Sequence, residues 1–305
     1  MKQFDLEATA HRLAFPALIA ALERQFVEGC EVPARHVHAV GDALTALVMP
    51  AWQPGRYFGL KVVNVAPGNA ARGLPGLFAT YQLFDATTGA PLASIDGGEL
   101  TARRTAAASA LAASRLARPD ARRQLIVGAG RVGSLLAPAL RAVRAIDDVT
   151  VWSRDPAAAA RLAASLVADG HPARAVADLA SAVGSADIVS CATLAAEPLI
   201  RGAWLAPGAH LDLIGGFTPA MREADDACFV GAQVWIDTPE ALAKAGDLLH
   251  PIASGAFRRE DVRGTLADLC AAPPPARDAA ARTVFKSVGT ALEDLAAAIL
   301  VYESD

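Results

Sequence analysis

The chain has 305 residues, 53% hydrophobic and 20% charged, enough for two domains with buried cores and too apolar for a disordered polymer. A formal net charge of −4 gives no reason to expect nucleic acid or an anionic membrane as a partner. No apolar run reaches transmembrane length, and the opening "MKQFDLEATAHRL" lacks the apolar core of a secretion signal.

In chain order, "FPALIAALERQFVEG" (15–29) reads as a helix, and strand-like pieces follow. His36 and His38 in "RHVH" share a strand face, but no further Cys/His cluster lies nearby, so no metal site is expected. "ALTALVMPAW" is a strand, and "YFGLKVVNVAPGN" (57–69) is another, closed by a Pro-Gly-Asn turn. Lys61 stands in the middle of that apolar run, where an ammonium costs desolvation unless something offsets it. Strand context alone suits an edge lysine that keeps its charge in water. "LFATYQLFDATTGAPLASID" gives two strands about a turn, and "ELTARRTAAASALAASRLA" (99–117) a long helix stopped by Pro119.

From Arg123 the pattern alternates strand and helix. The strands are "QLIVGAG", "DVTVWSRDP", "ARAV", "DIVSCAT", "AHLDLIGG" and "AQVWIDT"; helices such as "RVGSLLAPALRAVRA" separate them. Such alternation predicts an α/β fold with a doubly wound parallel sheet covered on both faces. "AAPPPARD" (271–278) reads as a loop, and "TVFKSVGTALEDLAAAILVYE" (283–303) as a closing helix that packs back on the first domain. The expected domains are therefore a discontinuous α+β unit, 1–117 completed by 282–305, and a Rossmann-type unit, 118–281. Cys30, Cys191, Cys228 and Cys270 have no paired spacing and read as reduced side chains of a cytoplasmic protein.

Gly128-Ala129-Gly130-Arg131-Val132-Gly133 follows a buried strand and opens a helix, the context a dinucleotide site requires. The first glycine permits the tight turn, the second admits a pyrophosphate, and the third lets helix and strand pack closely. At the end of the next strand an NAD site usually carries an acid for the ribose hydroxyl. This chain has Ser153 and Arg154 there, which suit the 2′-phosphate of NADPH, with NADH possible because Asp155 is one step further on.

Several motifs together resemble the ornithine cyclodeaminase/mu-crystallin family: "GLKVVNVAPGNAARGLPG", "LTARRTAAASALAASRLARPDA", "IVGAGRVG", "CATLAAEPLI", "LAPGAHLDLIGG" and "TVFKSVGTALED", in the family's order from about Pro33 to Tyr302. The resemblance implies a homodimer using NAD(P)(H) on an amino acid or its imine, with an N-terminal domain that binds substrate and partner. It puts the active-site lysine on Lys61, a carboxylate-binding arginine on Arg104 and a second on Arg35, while Arg103 reads as a solvated helix-face residue. Ser287 falls where the family approaches the nicotinamide. Ala192, Thr193 and Gly215, at strand ends, should line the cofactor crevice. Two departures separate this chain from the cyclodeaminases: Phe217 stands where they carry an aspartate, and Leu47 and Val48 precede Met49-Pro50 where they carry a glutamate. A pocket without those carboxylates suits an already cyclic imino acid, so the expected activity is NAD(P)H-dependent reduction of Δ1-pyrroline-2-carboxylate or Δ1-piperideine-2-carboxylate. The alternatives are a cyclodeaminase, an alanine dehydrogenase-like enzyme, or a crystallin-like protein that sequesters NADPH.

Overall fold

A computed structural model describes residues 1–276 and 278–304; Arg277, within the expected loop 271–278, lies outside the described residues. The chain forms two compact units: Met1–Arg104 with the segment from Thr290 onward, and Thr105–Gly289.

The first unit contains β1 (Lys2–Phe4), α1 (Leu6–Arg12), α2 (Phe15–Glu28), β2 (His36–Val40), β3 (Leu44–Gln53), β4 (Tyr57–Val65), β5 (Leu77–Asp85) and β6 (Pro91–Asp96). Helix α3 (Gly97–Leu116) starts there and continues into the second unit. The sheet order is β1-β6-β5-β4-β3-β2, antiparallel except for the β1–β6 pair. Strand β4 is thus interior, and Lys61 pairs across to Met49 on one side and Tyr81 on the other. This overturns the edge-strand reading of Lys61, because both neighbouring ladders enclose it. Burial alternates along β4: Gly59, Lys61 and Val63 are buried, whereas Leu60, Val62 and Asn64 are half-buried. The last helix of the chain covers the Lys61 face, with Leu295 and the Tyr81 ring packed against Gly59. A β-carbon on Gly59 would stand 1.9 Å from the Tyr81 hydroxyl, so only glycine leaves room for that ring.

The second unit holds β7 (Arg123–Val127), α4 (Gly133–Arg141), β8 (Asp148–Trp152), α5 (Pro156–Ala168), β9 (Ala173–Ala175), α6 (Leu179–Ser185) and β10 (Ile188–Cys191). It continues with β11 (His210–Leu213), β12 (Gln233–Ile236), α7 (Ala241–Lys244), α8 (Gly246–Ser254), β13 (Val262–Thr265), α9 (Leu266–Ala271) and β14 (Thr283–Lys286). All its strands run parallel, in the order β13-β12-β14-β11-β10-β7-β8-β9. The order reverses between β7 and β10, which makes the carboxyl ends of those two strands the place where such a sheet opens a ligand crevice. The core strands are continuous apolar runs, as two-sided burial requires; Leu125, Ile126, Val127, Ile188 and Val189 are fully enclosed.

The expected closing helix 283–303 is corrected by the structure. Thr283–Lys286 is a buried strand between β11 and β12, and only α10 (Ala291–Glu303) is helical. Thr, Val and Phe in succession favour extended backbone, Gly289 turns the chain at φ 76°, and the Thr290 side chain caps the new helix. Strand β14 consequently lies in the parallel sheet, and the compact units divide at Arg104/Thr105 and Gly289/Thr290, away from the expected 117/118 and 281/282. Among the described residues no helix is long and apolar enough to cross a membrane.

Candidate functional site

In the first unit four ionisable side chains meet under the sheet. Lys61, 2% exposed, places Nζ 2.6 Å from Asp294 Oδ2 and donates to Thr101 Oγ1 at 3.3 Å. Arg104 donates through Nε to Asp294 Oδ1 at 2.9 Å and through Nη1 to Glu293 Oε2 at 2.5 Å. Thr101 and Arg104 lie three apart on α3 and so share a face. Glu293 and Asp294 occupy the first turn of α10, where the helix dipole favours carboxylates. Two cations against two anions is the balance that makes such deep burial tolerable. Burial pulls Lys61 from its ordinary 10.5 down to about 8; Asp294 resists that fall and Arg104 adds to it. For Asp294 burial acts upward, but Lys61 and Arg104 outweigh it and hold the carboxyl below its usual range. Lys61 is therefore an ammonium at neutral pH that can surrender its proton close to neutrality.

The structure joins Lys61 with Arg104 but leaves two neighbours apart. Arg103 pairs with Glu99 at 2.7 Å and donates to the Leu13 carbonyl, on another face of α3. Arg35 leads into β2, two strands from β4, and has no share in the bonds that link Lys61, Arg104 and Asp294.

In the second unit the glycine turn follows β7. Gly128 has φ 111°, and a β-carbon there would lie 2.4 Å from the Ala192 carbonyl; on Gly133 it would lie 2.2 Å from the Gly128 carbonyl. On Gly130 it would meet nothing within 4 Å, so the middle of the turn is open on the side a pyrophosphate would approach. Ala129, Arg131 and Val132 complete the turn, and no side chain caps the start of α4, where the Ser134 and Leu135 amides turn back to the Gly130 and Val132 carbonyls. Ser153 is half-buried and Arg154 exposed just beyond β8. Asp155 accepts the Ala157 amide proton at 2.9 Å as the N-cap of α5, so the acid nearest an NAD ribose position already serves the helix. These features fit a dinucleotide.

The adjoining strand ends are held by carboxylates that sequence reasoning passed over. Glu223, fully buried, accepts from the Thr193 amide, the Thr193 hydroxyl and the Gly215 amide, each at 2.7 Å. Asp247 accepts from the amides of Glu223 and Ala224 and pairs with Lys286 at 3.1 Å. Asp237 takes the amides of Val288 and Gly289, which fixes the chain just past the buried Ser287. Ala192, Thr193, Gly215 and Ser287 thus sit at the carboxyl ends of β10, β11 and β14. Phe217 stays 44% exposed in the loop after β11.

The sequence profile of the ornithine cyclodeaminase/mu-crystallin family matches residues 7–305. A Delta(1)-pyrroline-2-carboxylate reductase of Paracoccus denitrificans is 46% identical over 256 residues, covering 82% of this chain and 80% of its own. The Thermococcus litoralis Delta(1)-pyrroline-2-carboxylate reductase, solved with NADH and L-proline, superposes with a TM-score of 0.93 at 30% identity, over 99% of this chain and 97% of that one. An archaeal alanine dehydrogenase dimer with bound NAD gives a TM-score of 0.92 at 27% identity, over 99% and 95%. On the extent of the profile match and these identities, the chain belongs to the ornithine cyclodeaminase/mu-crystallin family.

Proposed function

We propose that the protein is a nicotinamide-dependent reductase of cyclic α-imino acids, converting Δ1-pyrroline-2-carboxylate to proline and Δ1-piperideine-2-carboxylate to pipecolate. The carrying observation is the pairing of Lys61 and Arg104 on one buried carboxylate, in a chain whose second unit presents an open glycine turn. A reduced nicotinamide supplies the hydride that the imine carbon accepts. Gly128, Ala129, Gly130, Arg131, Val132 and Gly133 would cradle its pyrophosphate, with Ala192, Thr193, Gly215 and Ser287 flanking the nicotinamide. Arg104 holds the substrate carboxylate, and Arg35 is assigned a second grip on it. Lys61 gives a proton to the imine nitrogen, so the C=N bond becomes CH–NH, and Lys61 then regains a proton from solvent. An iminium accepts hydride far more readily than a neutral imine, which is why the proton belongs early in the reaction.

Leu47, on the Lys61 face of β3, and Phe217 favour a hydrocarbon ring over a free side-chain ammonium. Ser153 and the exposed Arg154, with Asp155 engaged as a helix cap, favour NADPH over NADH. The face of the first unit's sheet opposite Lys61 carries half-buried Val48, Pro50, Leu60 and Val62 and fits a homodimer contact. Four free cysteines fit a reducing compartment, and we place the protein in the cytoplasm. The test follows consumption of NADPH with the two cyclic imines, beside ornithine with NAD⁺ and pyruvate with ammonia and NADH. Turnover confined to the imines is expected. Preferred turnover of ornithine or pyruvate, or tight NADPH binding without turnover on any substrate, would overturn the reading.

A further inference from the structure

We propose that Asp294 is the positioning residue of the reaction: one carboxylate that aims the Lys61 ammonium and the Arg104 guanidinium together and keeps Lys61 loaded with its proton. The geometry carries this. Asp294 is wholly buried and uses one oxygen for each cation, 2.6 Å to Lys61 Nζ and 2.9 Å to Arg104 Nε. Glu293, its neighbour, accepts from Arg104 Nη1. A single rigid group at the start of α10 thereby fixes the spacing between a proton donor and a carboxylate grip. That spacing is what a small imino acid must match at its nitrogen and its carboxylate.

The surroundings leave Asp294 as the chief source of negative charge on Lys61. Met49 on β3 is apolar, and Tyr81 on β5 is a phenol pushed well above its ordinary value, by burial first and then by Asp294 and Cys30. Thr101 on α3 is neutral, and Arg104 opposes the Lys61 charge. Of the two acids in the first turn of α10, Asp294 supports the ammonium more than Glu293 does. Asp294 therefore works against the burial that would otherwise strip Lys61 of its proton at working pH.

This inference rests on the reading of Lys61 as proton donor, and the experiment separates the two. Lys61→Ala, Asp294→Asn, Asp294→Glu and Glu293→Gln are compared for kcat, for KM of the imine and NADPH, and for the pH profile of kcat/KM. Lys61→Ala should abolish turnover and spare NADPH binding; retained turnover would overturn the donor role and this inference with it. Asp294→Asn should cut kcat at least tenfold and move the alkaline limb of kcat/KM down by about 1–3 pH units, because an opposite charge at contact distance has been removed. Glu293→Gln should raise the imine KM and move that limb less. Asp294→Glu restores the charge one methylene out of place, so the limb should return while kcat stays low. An inactive Lys61→Ala beside an unmoved limb in Asp294→Asn would overturn the positioning role alone. If Asp294→Asn does not fold, the other pair decides: a limb displaced equally by Asp294→Glu and Glu293→Gln would also overturn it.

Discussion

Glu223 grips Thr193 twice, taking its amide proton and its hydroxyl proton on the same oxygen at 2.7 Å, and reaches Gly215 with the other oxygen. The turn after β10 is therefore tied to the start of the segment after β11 by one buried carboxylate from further along that same segment. Glu223→Gln removes the charge and turns an N–H donor toward groups that themselves donate. Losing a charge-assisted hydrogen bond costs about 1.5–3 kcal/mol, so the KM for the dinucleotide should rise ~10- to 100-fold. Steady-state kinetics with the cofactor varied at saturating imine would measure this, and an unchanged KM would remove Glu223 from cofactor placement.

Arg154 is exposed beyond β8, beside a carboxylate already committed to capping α5. Arg154→Ala should weaken NADPH by roughly tenfold or more through loss of a charge-assisted phosphate contact, and should leave NADH nearly unchanged. Titration of both cofactors by fluorescence would check it; equal losses for the two would contradict the 2′-phosphate assignment.

Lys61 links activity and stability to pH with opposite signs. Burial lowers it to about 8 from 10.5, so between those values the unfolded chain holds a proton that the folded chain has released. Stability from this group is greatest above the unfolded value and is lost as pH falls through the folded one. Turnover, which needs the ammonium, should decline as pH rises above about 8, while this group does not lower the melting temperature between about 8 and 10.5. Parallel pH series of kcat/KM and Tm would separate the two, and a Tm falling in step with activity would indicate unfolding instead of titration.

The half-buried apolar sheet face opposite Lys61 predicts an assembly. Leu60→Glu places a charge among Val48, Pro50 and Val62 while leaving the opposite face, with Lys61, untouched. Sedimentation should give a dimer for the wild-type chain and a monomer for the variant, since a charge that must be buried without a partner costs several kcal/mol. A variant that sediments as the parent does would place the contact elsewhere.

Much of this was legible in the residues. The alternation after Arg123 predicts the parallel sheet, and the glycines after "LIV" predict their own turn, because both are local patterns with steric causes. "KVVNV" reveals a strand, but whether Lys61 is exposed depends on which strands flank it, and that is a property of the assembled sheet. Asp294 is 233 positions from Lys61 in sequence, and "TALED" reads locally as an ordinary acidic helix start. Glu223 sits in "MREADD" beside Asp225 and Asp226, and only its burial sets it apart. Strand β14 is missed because four residues are too few to show a period, although the Thr-Val-Phe run and Gly289 could have signalled an extended piece before the helix.

The open space over Gly130 divides the three glycines by what enforces them. At Gly128 and Gly133 a methyl group would collide with the chain's own carbonyls, so the empty protein already forbids alanine there. At Gly130 the empty protein has no objection. Alanine there should leave the melting temperature alone until dinucleotide is added, and should then abolish the stabilisation that the ligand confers on the parent.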